Sequence, residues 1–118
     1  MQPILLADDD PDTLEGLRTL LTAWGYEIET AQDGRTALDR IGELHPSAVI
    51  TDLVMPAMNG LDLLEAVKRE DPDIPVIVMT GHGNPETRRR AVAGGALGYF
   101  AKPVDTAKLK SLLASAVR

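Results

Sequence analysis

Cysteine is absent from the 118 residues, which removes disulfides, thiolate metal sites and a cysteine nucleophile, and permits a reducing compartment. Aromatics are scarce too: one Trp, one Phe and two Tyr leave an aliphatic core. The amino terminus, Met1-Gln2-Pro3-Ile4-Leu5-Leu6-Ala7-Asp8, reaches an acid after four apolar residues and carries no basic region. It reads as neither a signal peptide nor a membrane span. Basic charge is in deficit, with 12 Lys and Arg against 18 Asp and Glu and a net charge of -6. That balance opposes a phosphate-tracking surface, so direct DNA or RNA binding by this chain is not expected. The length suits one domain with one core system. No linker, low-complexity tract or internal repeat interrupts it.

What is present is an alternation of short apolar runs with longer segments of helical period, the pattern of strand-helix units building a parallel sheet. Five strands are predicted, at Ile4 to Ala7, Tyr26 to Thr30, Ala48 to Thr51, Val76 to Met79 and Gly98 to Ala101. The first, third and fourth are unbroken apolar runs, as expected of strands covered by helices on both faces. Tyr26-Glu27-Ile28-Glu29-Thr30 alternates with charge and suits an edge strand.

Five helices are marked by caps. Asp10-Pro11 opens the first, with Leu14, Leu17, Leu21 and Trp24 inward until Gly25. Asp33 opens the second, with Ala37, Ile41 and Leu44 inward, ending before His45-Pro46. Asn59 caps the third, carrying Leu61, Leu64 and Val67 and ending before Asp71-Pro72. Asn84-Pro85 opens a fourth that runs to Gly94-Gly95, and Asp105 opens a fifth with Leu109, Leu112, Leu113 and Ala116 inward. The fourth, with Arg88-Arg89-Arg90 and small apolar residues, has little to bury and is expected to be the loosest element.

In a doubly wound parallel sheet, ligands bind beyond the carboxyl ends of the strands. The polar residues gather there: Asp8, Asp9 and Asp10 after the first strand, Asp52 closing the third, Thr80-Gly81-His82-Gly83 after the fourth, and Lys102-Pro103 after the fifth. Carboxylates a few ångströms apart repel at about 4 kcal/mol per pair at an effective dielectric near 20. A hard divalent ion such as Mg²⁺ answers that repulsion and keeps positions open for a phosphorylated ligand. Lys102 then supplies fixed positive charge, Thr80 a hydrogen-bond donor and Asp52 a carboxylate nucleophile.

These residues, in order at successive strand ends, resemble the response regulator receiver domain of two-component signal transduction, the CheY-like superfamily. The resemblance covers residues 1–118 and rests on the acidic pair Asp8-Asp9, the segment Asp52-Leu53-Val54-Met55-Pro56-Ala57-Met58-Asn59-Gly60, Thr80, Tyr99 and Lys102-Pro103. It implies an α/β, flavodoxin-like (βα)5 fold, with a five-stranded parallel sheet in order 2-1-3-4-5 and five flanking helices. It also implies a phosphorylation-controlled switch in the cytoplasm rather than a metabolic enzyme, one that assists its own phosphotransfer and dephosphorylation.

By that resemblance, Asp52 takes a phosphoryl group from a phosphohistidine on a sensor histidine kinase or a histidine phosphotransfer protein. Asp9, Asp52 and the Val54 backbone carbonyl ligate Mg²⁺ or Mn²⁺, and Asp8 acts largely through water. Lys102 bridges to the phosphoryl oxygens beside a cis bond to Pro103. Thr80 moves inward, Tyr99 turns from exposed to buried, and the face of the fourth helix, fifth strand and fifth helix changes for a downstream output domain or protein. A phosphorylation-dependent homodimer is compatible with this, as is either a stand-alone regulator or a receiver cut from a longer chain. Val54 and His82 occupy positions that tune phosphoryl lifetime in the family, and Val54 cannot position a water by hydrogen bonding.

Plainer readings stand beside these. Asp10 is an N-cap rather than a ligand, His45 is a surface residue at a helix end, and the two histidines lack zinc-site spacing. Arg88, Arg89 and Arg90 read as a solvated helix face or as a contact for the kinase or an output partner. Tyr99 can be a plain edge-strand aromatic. Met55, Met58 and Met79 need only pack, although Met55 and Met58 could border a docking surface. A haloacid-dehalogenase-like phosphatase needs a second Asp where Val54 stands. A flavodoxin-like electron carrier needs a hydroxyl-rich loop where Asp8-Asp9-Asp10 stands. A degenerate receiver used only for binding would have lost an acid, the hydroxyl or the lysine, and none is missing.

Overall fold

Two apolar faces on the same strands organise the chain. The structure, a computed structural model, describes residues 2–117. Its elements in order are β1 (Ile4–Ala7), α1 (Pro11–Ala23), β2 (Ile28–Ala31), α2 (Gly34–Leu44), β3 (Ala48–Asp52), α3 (Gly60–Glu70), β4 (Val76–Thr80), α4 (Pro85–Ala93), β5 (Gly98–Ala101) and α5 (Thr106–Ala116). The strands form one parallel sheet in the order β2-β1-β3-β4-β5, as expected, with β1, β3 and β4 inside.

Successive strand side chains point to opposite faces, so each central strand feeds two cores. Leu5, Val49, Val76 and Val78 pack with Ala37 and Ile41 of α2, Leu61, Leu64 and Val67 of α3, and Ala91 of α4. Ile4, Leu6, Ile50, Ile77 and Met79 pack on the other face with Leu14 and Leu21 of α1 and Leu109 and Leu113 of α5. Each fully buried aliphatic side chain contributes about 1.5–3 kcal/mol. Trp24, Tyr26 and Phe100 only border the second core.

Helix starts follow the sequence. Asp10, Asp33, Asn59, Asn84 and Asp105 are the five N-caps, each accepting a backbone N–H of the first turn. Thr87 completes a reciprocal capping box at the start of α4. That helix buries only Ala91.

Several boundaries differ from expectation. β2 runs from Ile28 to Ala31 rather than Tyr26 to Thr30, because Tyr26 N–H returns to Leu21 O at 3.2 Å and Gly25, at φ 97°, turns the chain. α1 ends at Ala23, with Trp24 as its cap. β3 and β4 each extend one residue further, to Asp52 and Thr80. Asp52 pairs with Met79 and Thr80 with Ala101, so both are set by the sheet rather than by a loop. No helix among the described residues is long and apolar enough to cross a membrane.

Candidate functional site

Carboxylate oxygens of Asp8, Asp9 and Asp52 lie within 4.8 Å of one another at the carboxyl ends of β1 and β3. Asp8 follows directly on β1, and its amide donates to Ala31 O across the sheet at 3.1 Å. It is buried, with Oδ1 accepting from Asp10 N–H at 3.0 Å and Oδ2 from Lys102 Nζ at 3.0 Å. Asp9 is exposed. Asp52 is buried, and its Oδ1 accepts from Leu53 N–H at 2.8 Å while Oδ2 stands 3.5 Å from Lys102 Nζ.

Burial and, after it, the charge of Asp8 push the Asp52 carboxyl above its usual range, against the pull of Lys102 and the Leu53 amide. Burial works against the Lys102 ammonium, yet the hydrogen bond to Asp8 and the charges of Asp52 and Asp8 outweigh it and hold the ammonium above its ordinary value. The pocket is therefore anionic, with one lysine spread between two acids. An all-oxygen donor set, with Asp9 open to water, fits a hard divalent cation such as Mg²⁺ or Mn²⁺.

Gly60 sets how close α3 comes to the acceptor strand. Its N–H donates to Leu53 O at 2.8 Å, and a Cβ there would lie 2.3 Å from the Asp52 carbonyl oxygen. The Lys102–Pro103 peptide bond is cis, and Lys102 N–H donates to Thr80 O at 2.9 Å, tying the end of β5 to β4. Thr80 is buried, its Oγ1 accepting from His82 N–H at 2.9 Å.

Beside the acids, Thr80, Gly83, Arg88, Tyr99 and Lys102 line a cavity of about 330 Å³. Tyr99 is half-buried, its hydroxyl 2.8 Å from Thr87 Oγ1 and its ring 5.6 Å from the Arg88 guanidinium. A larger groove of about 440 Å³ lies at the opposite end of the sheet near His45 and Asp71, away from the acid cluster and the strand-end lysine.

The family model of the response regulator receiver domain matches residues 4–114. The chain belongs to that family. Among curated relatives, the receiver is 37% identical over 114 residues to the transcriptional regulatory protein ZraR of Klebsiella oxytoca, covering 97% of this chain and 26% of that one. It is 36% identical to the response regulator MprA of Mycolicibacterium vanbaalenii, covering 98% and 50%. The chain thus spans half or less of these relatives' length. Among solved structures, a receiver domain protein from Clostridium thermocellum superposes with a TM-score of 0.92 at 33% identity, covering 98% of this chain and 94% of that one. The Vibrio cholerae chemotaxis protein CheY4 superposes with a TM-score of 0.89 at 30% identity, covering 99% of both.

Other singled-out residues fall outside the receiver's acid cluster. Asp10 is the α1 cap, its carboxyl held below the usual range by Thr13 and the Asp12 amide. His82, Arg89 and Arg90 are exposed, as is His45. Met55 is buried, with Thr51 Oγ1 3.9 Å from its sulfur, so it belongs to the core and not to a docking rim. Met58 is half-buried. Sequence reasoning places Gly83 after the fourth strand but passes over Thr87. The spacing Asn84-x-x-Thr87 is the signal that a capping box would have given.

Proposed function

We propose that this receiver is a phosphorylation-activated switch in a two-component phosphorelay, with Asp52 as phosphoacceptor. The observation that carries the reading is the position of Asp52: fixed at the last pair of β3, among the Asp8 and Asp9 carboxylates and 3.5 Å from the Lys102 ammonium. A carboxylate oxygen of Asp52 attacks the phosphorus of a phosphohistidine on a sensor histidine kinase or histidine phosphotransfer protein. The P–N bond breaks, and its electron pair returns to the imidazole. Asp52 is a buried nucleophile whose backbone is held by the sheet and whose Oδ1 is oriented by Leu53 N–H, so the attacking group needs little reorganisation.

Asp8, Asp9, Asp52 and the Val54 carbonyl would hold Mg²⁺ or Mn²⁺, which when bound supplies positive charge for the phosphoryl oxygens. Lys102 would supply the protein's own positive charge, and Thr80 a hydroxyl donor, since the bond from the His82 amide does not use its hydrogen. Thr80 and Tyr99 line one cavity, so movement at Thr80 would reach Tyr99 and the face built by α4, β5 and α5. That face would be read by an output domain or protein.

The test is the intact mass after incubation with acetyl phosphate and Mg²⁺, for the wild type and Asp52→Asn. One phosphoryl addition, dependent on Mg²⁺ and absent in the variant, is the expected result. No addition to a folded wild type, from acetyl phosphate or a phosphorylated kinase domain, would leave a binding module instead.

A further inference from the structure

The hydroxyl of Thr87 is shared between the α4 cap and Tyr99. Thr87 Oγ1 donates to Asn84 O at 3.0 Å and accepts from Asn84 N–H at 3.0 Å. A hydroxyl has one hydrogen and two acceptor sites. The 2.8 Å contact with the Tyr99 hydroxyl is a further hydrogen bond on that oxygen, in which either hydroxyl can donate. One side-chain oxygen thus closes the capping box of α4 and holds the tip of an aromatic ring on β5.

Gly83 guards the other side of that tip. A Cβ on Gly83 would stand 2.2 Å from the Tyr99 hydroxyl oxygen and 2.8 Å from Thr80 Cγ2. Any side chain there displaces the ring, the threonine or both. Arg88, one residue after Thr87, covers the ring at 5.6 Å. The ring is held at its tip, at one flank and at its face by the loop and first turn of α4, an element that buries only Ala91.

We propose that Thr87 and Gly83 form a latch that locks Tyr99 onto the amino terminus of α4, so that the orientation of the ring and the capping of the helix change together. The latch belongs to the unphosphorylated chain and stands without the phosphoacceptor reading. Its use in signalling rests on that reading, because Thr80 touches the same glycine position. Opening the latch removes the Tyr99 hydrogen bond from Thr87, the residue that closes the α4 capping box, and closing it restores the bond. Tyr99 and Thr87 are positioning residues in this device.

The test uses the full chain without phosphodonor or Mg²⁺, so failure of Asp52 to accept phosphate leaves its result intact. Tyr99→Phe deletes the hydroxyl that bonds Thr87 and leaves the capping box whole. NMR hydrogen exchange at the Thr87 and Arg88 amides, which donate to Asn84 Oδ1 at 2.9 Å and Asn84 O at 3.0 Å, reads the helix cap. Side-chain couplings of residue 99 read the ring. Tyr99→Phe should speed exchange at both amides about fivefold, the effect of one net hydrogen bond. Thr87→Ala should let the ring average among rotamers, and Thr87→Ser should restore its single orientation. Adding Tyr99→Phe to Thr87→Ala should change exchange no further. Gly83→Ala should move the ring as Thr87→Ala does; if it fails to fold, the Thr87 and Tyr99 variants decide. Unchanged amide exchange in Tyr99→Phe, or a ring that keeps one orientation in Thr87→Ala, would overturn the latch.

Discussion

Lys102 Nζ stands 3.0 Å from Asp8 Oδ2 and 3.5 Å from Asp52 Oδ2, so the β5 lysine is held more tightly by the acid after β1 than by the acid ending β3. Asp8 is 1% exposed, and its other oxygen is engaged by Asp10 N–H. Removing Lys102 alone leaves a buried carboxylate without its cation. Lys102→Met should therefore destabilise by about 3 kcal/mol, while Asp8→Asn added to it should recover most of that loss. Urea unfolding of the two single variants and the double variant measures the coupling. A strictly additive double variant would show that the ion pair contributes nothing.

Asp52 makes stability depend on pH with a defined sign. Its carboxyl sits above the ordinary value of 3.8 because of burial and the charge of Asp8. The folded chain thus keeps a proton that the unfolded chain has lost, and stability falls as pH rises through that interval. Asp52→Asn should raise Tm at neutral pH in EDTA, with the gain vanishing as pH drops below 3.8. Thermal melts across an acid-to-neutral series check this, and a gain that persists in strong acid would contradict it.

Val54 is 52% exposed and offers no hydrogen bond to a water beside the acceptor. Loss of the phosphoryl group from Asp52 should accordingly be slow, and Val54→Asn should hasten it severalfold by orienting the attacking water. The decay of the phosphorylated mass in Mg²⁺ measures it. Equal lifetimes for the two proteins would refute the role.

Gly60 has no room for a methyl group, since a Cβ would lie 2.3 Å from the backbone oxygen of Asp52. Gly60→Ala should cost about 1–3 kcal/mol of stability by pushing α3 off the end of β3. Phosphorylation by acetyl phosphate should slow as well, because the same push moves the acceptor. A stable variant with wild-type phosphorylation would mean that the loop yields freely.

Much of the fold is written in local chemistry. Asp10-Pro11, Asp33, Asn59, Asn84-Pro85 and Asp105 fix the helix starts because short polar side chains satisfy the free first-turn amides wherever they occur. The unbroken runs around Leu5, Val49 and Ile77 place β1, β3 and β4 inside the sheet. Strand ends were less legible. Tyr26 and Glu27 look like strand residues, but the left-handed Gly25 and the return bond to Leu21 hold Tyr26 back, and Glu27 only lends its carbonyl to Ile4 N–H at 2.8 Å before β2 begins. Asp52 and Thr80 stand one residue past the predicted strands, and pairing with Met79 and Ala101 draws them in.

The sequence by itself determined the parallel strand-helix alternation, the caps and the identity of the polar residues at the strand ends, because each depends on neighbours a few positions away. Only the tertiary structure decided that Lys102 leans toward Asp8, that Gly60 must be bare for α3 to approach Asp52, and that Tyr99 shares an oxygen with the cap of α4. Those relationships join residues distant in sequence and differ by fractions of an ångström. They follow from how helices settle on the sheet, which no local pattern encodes.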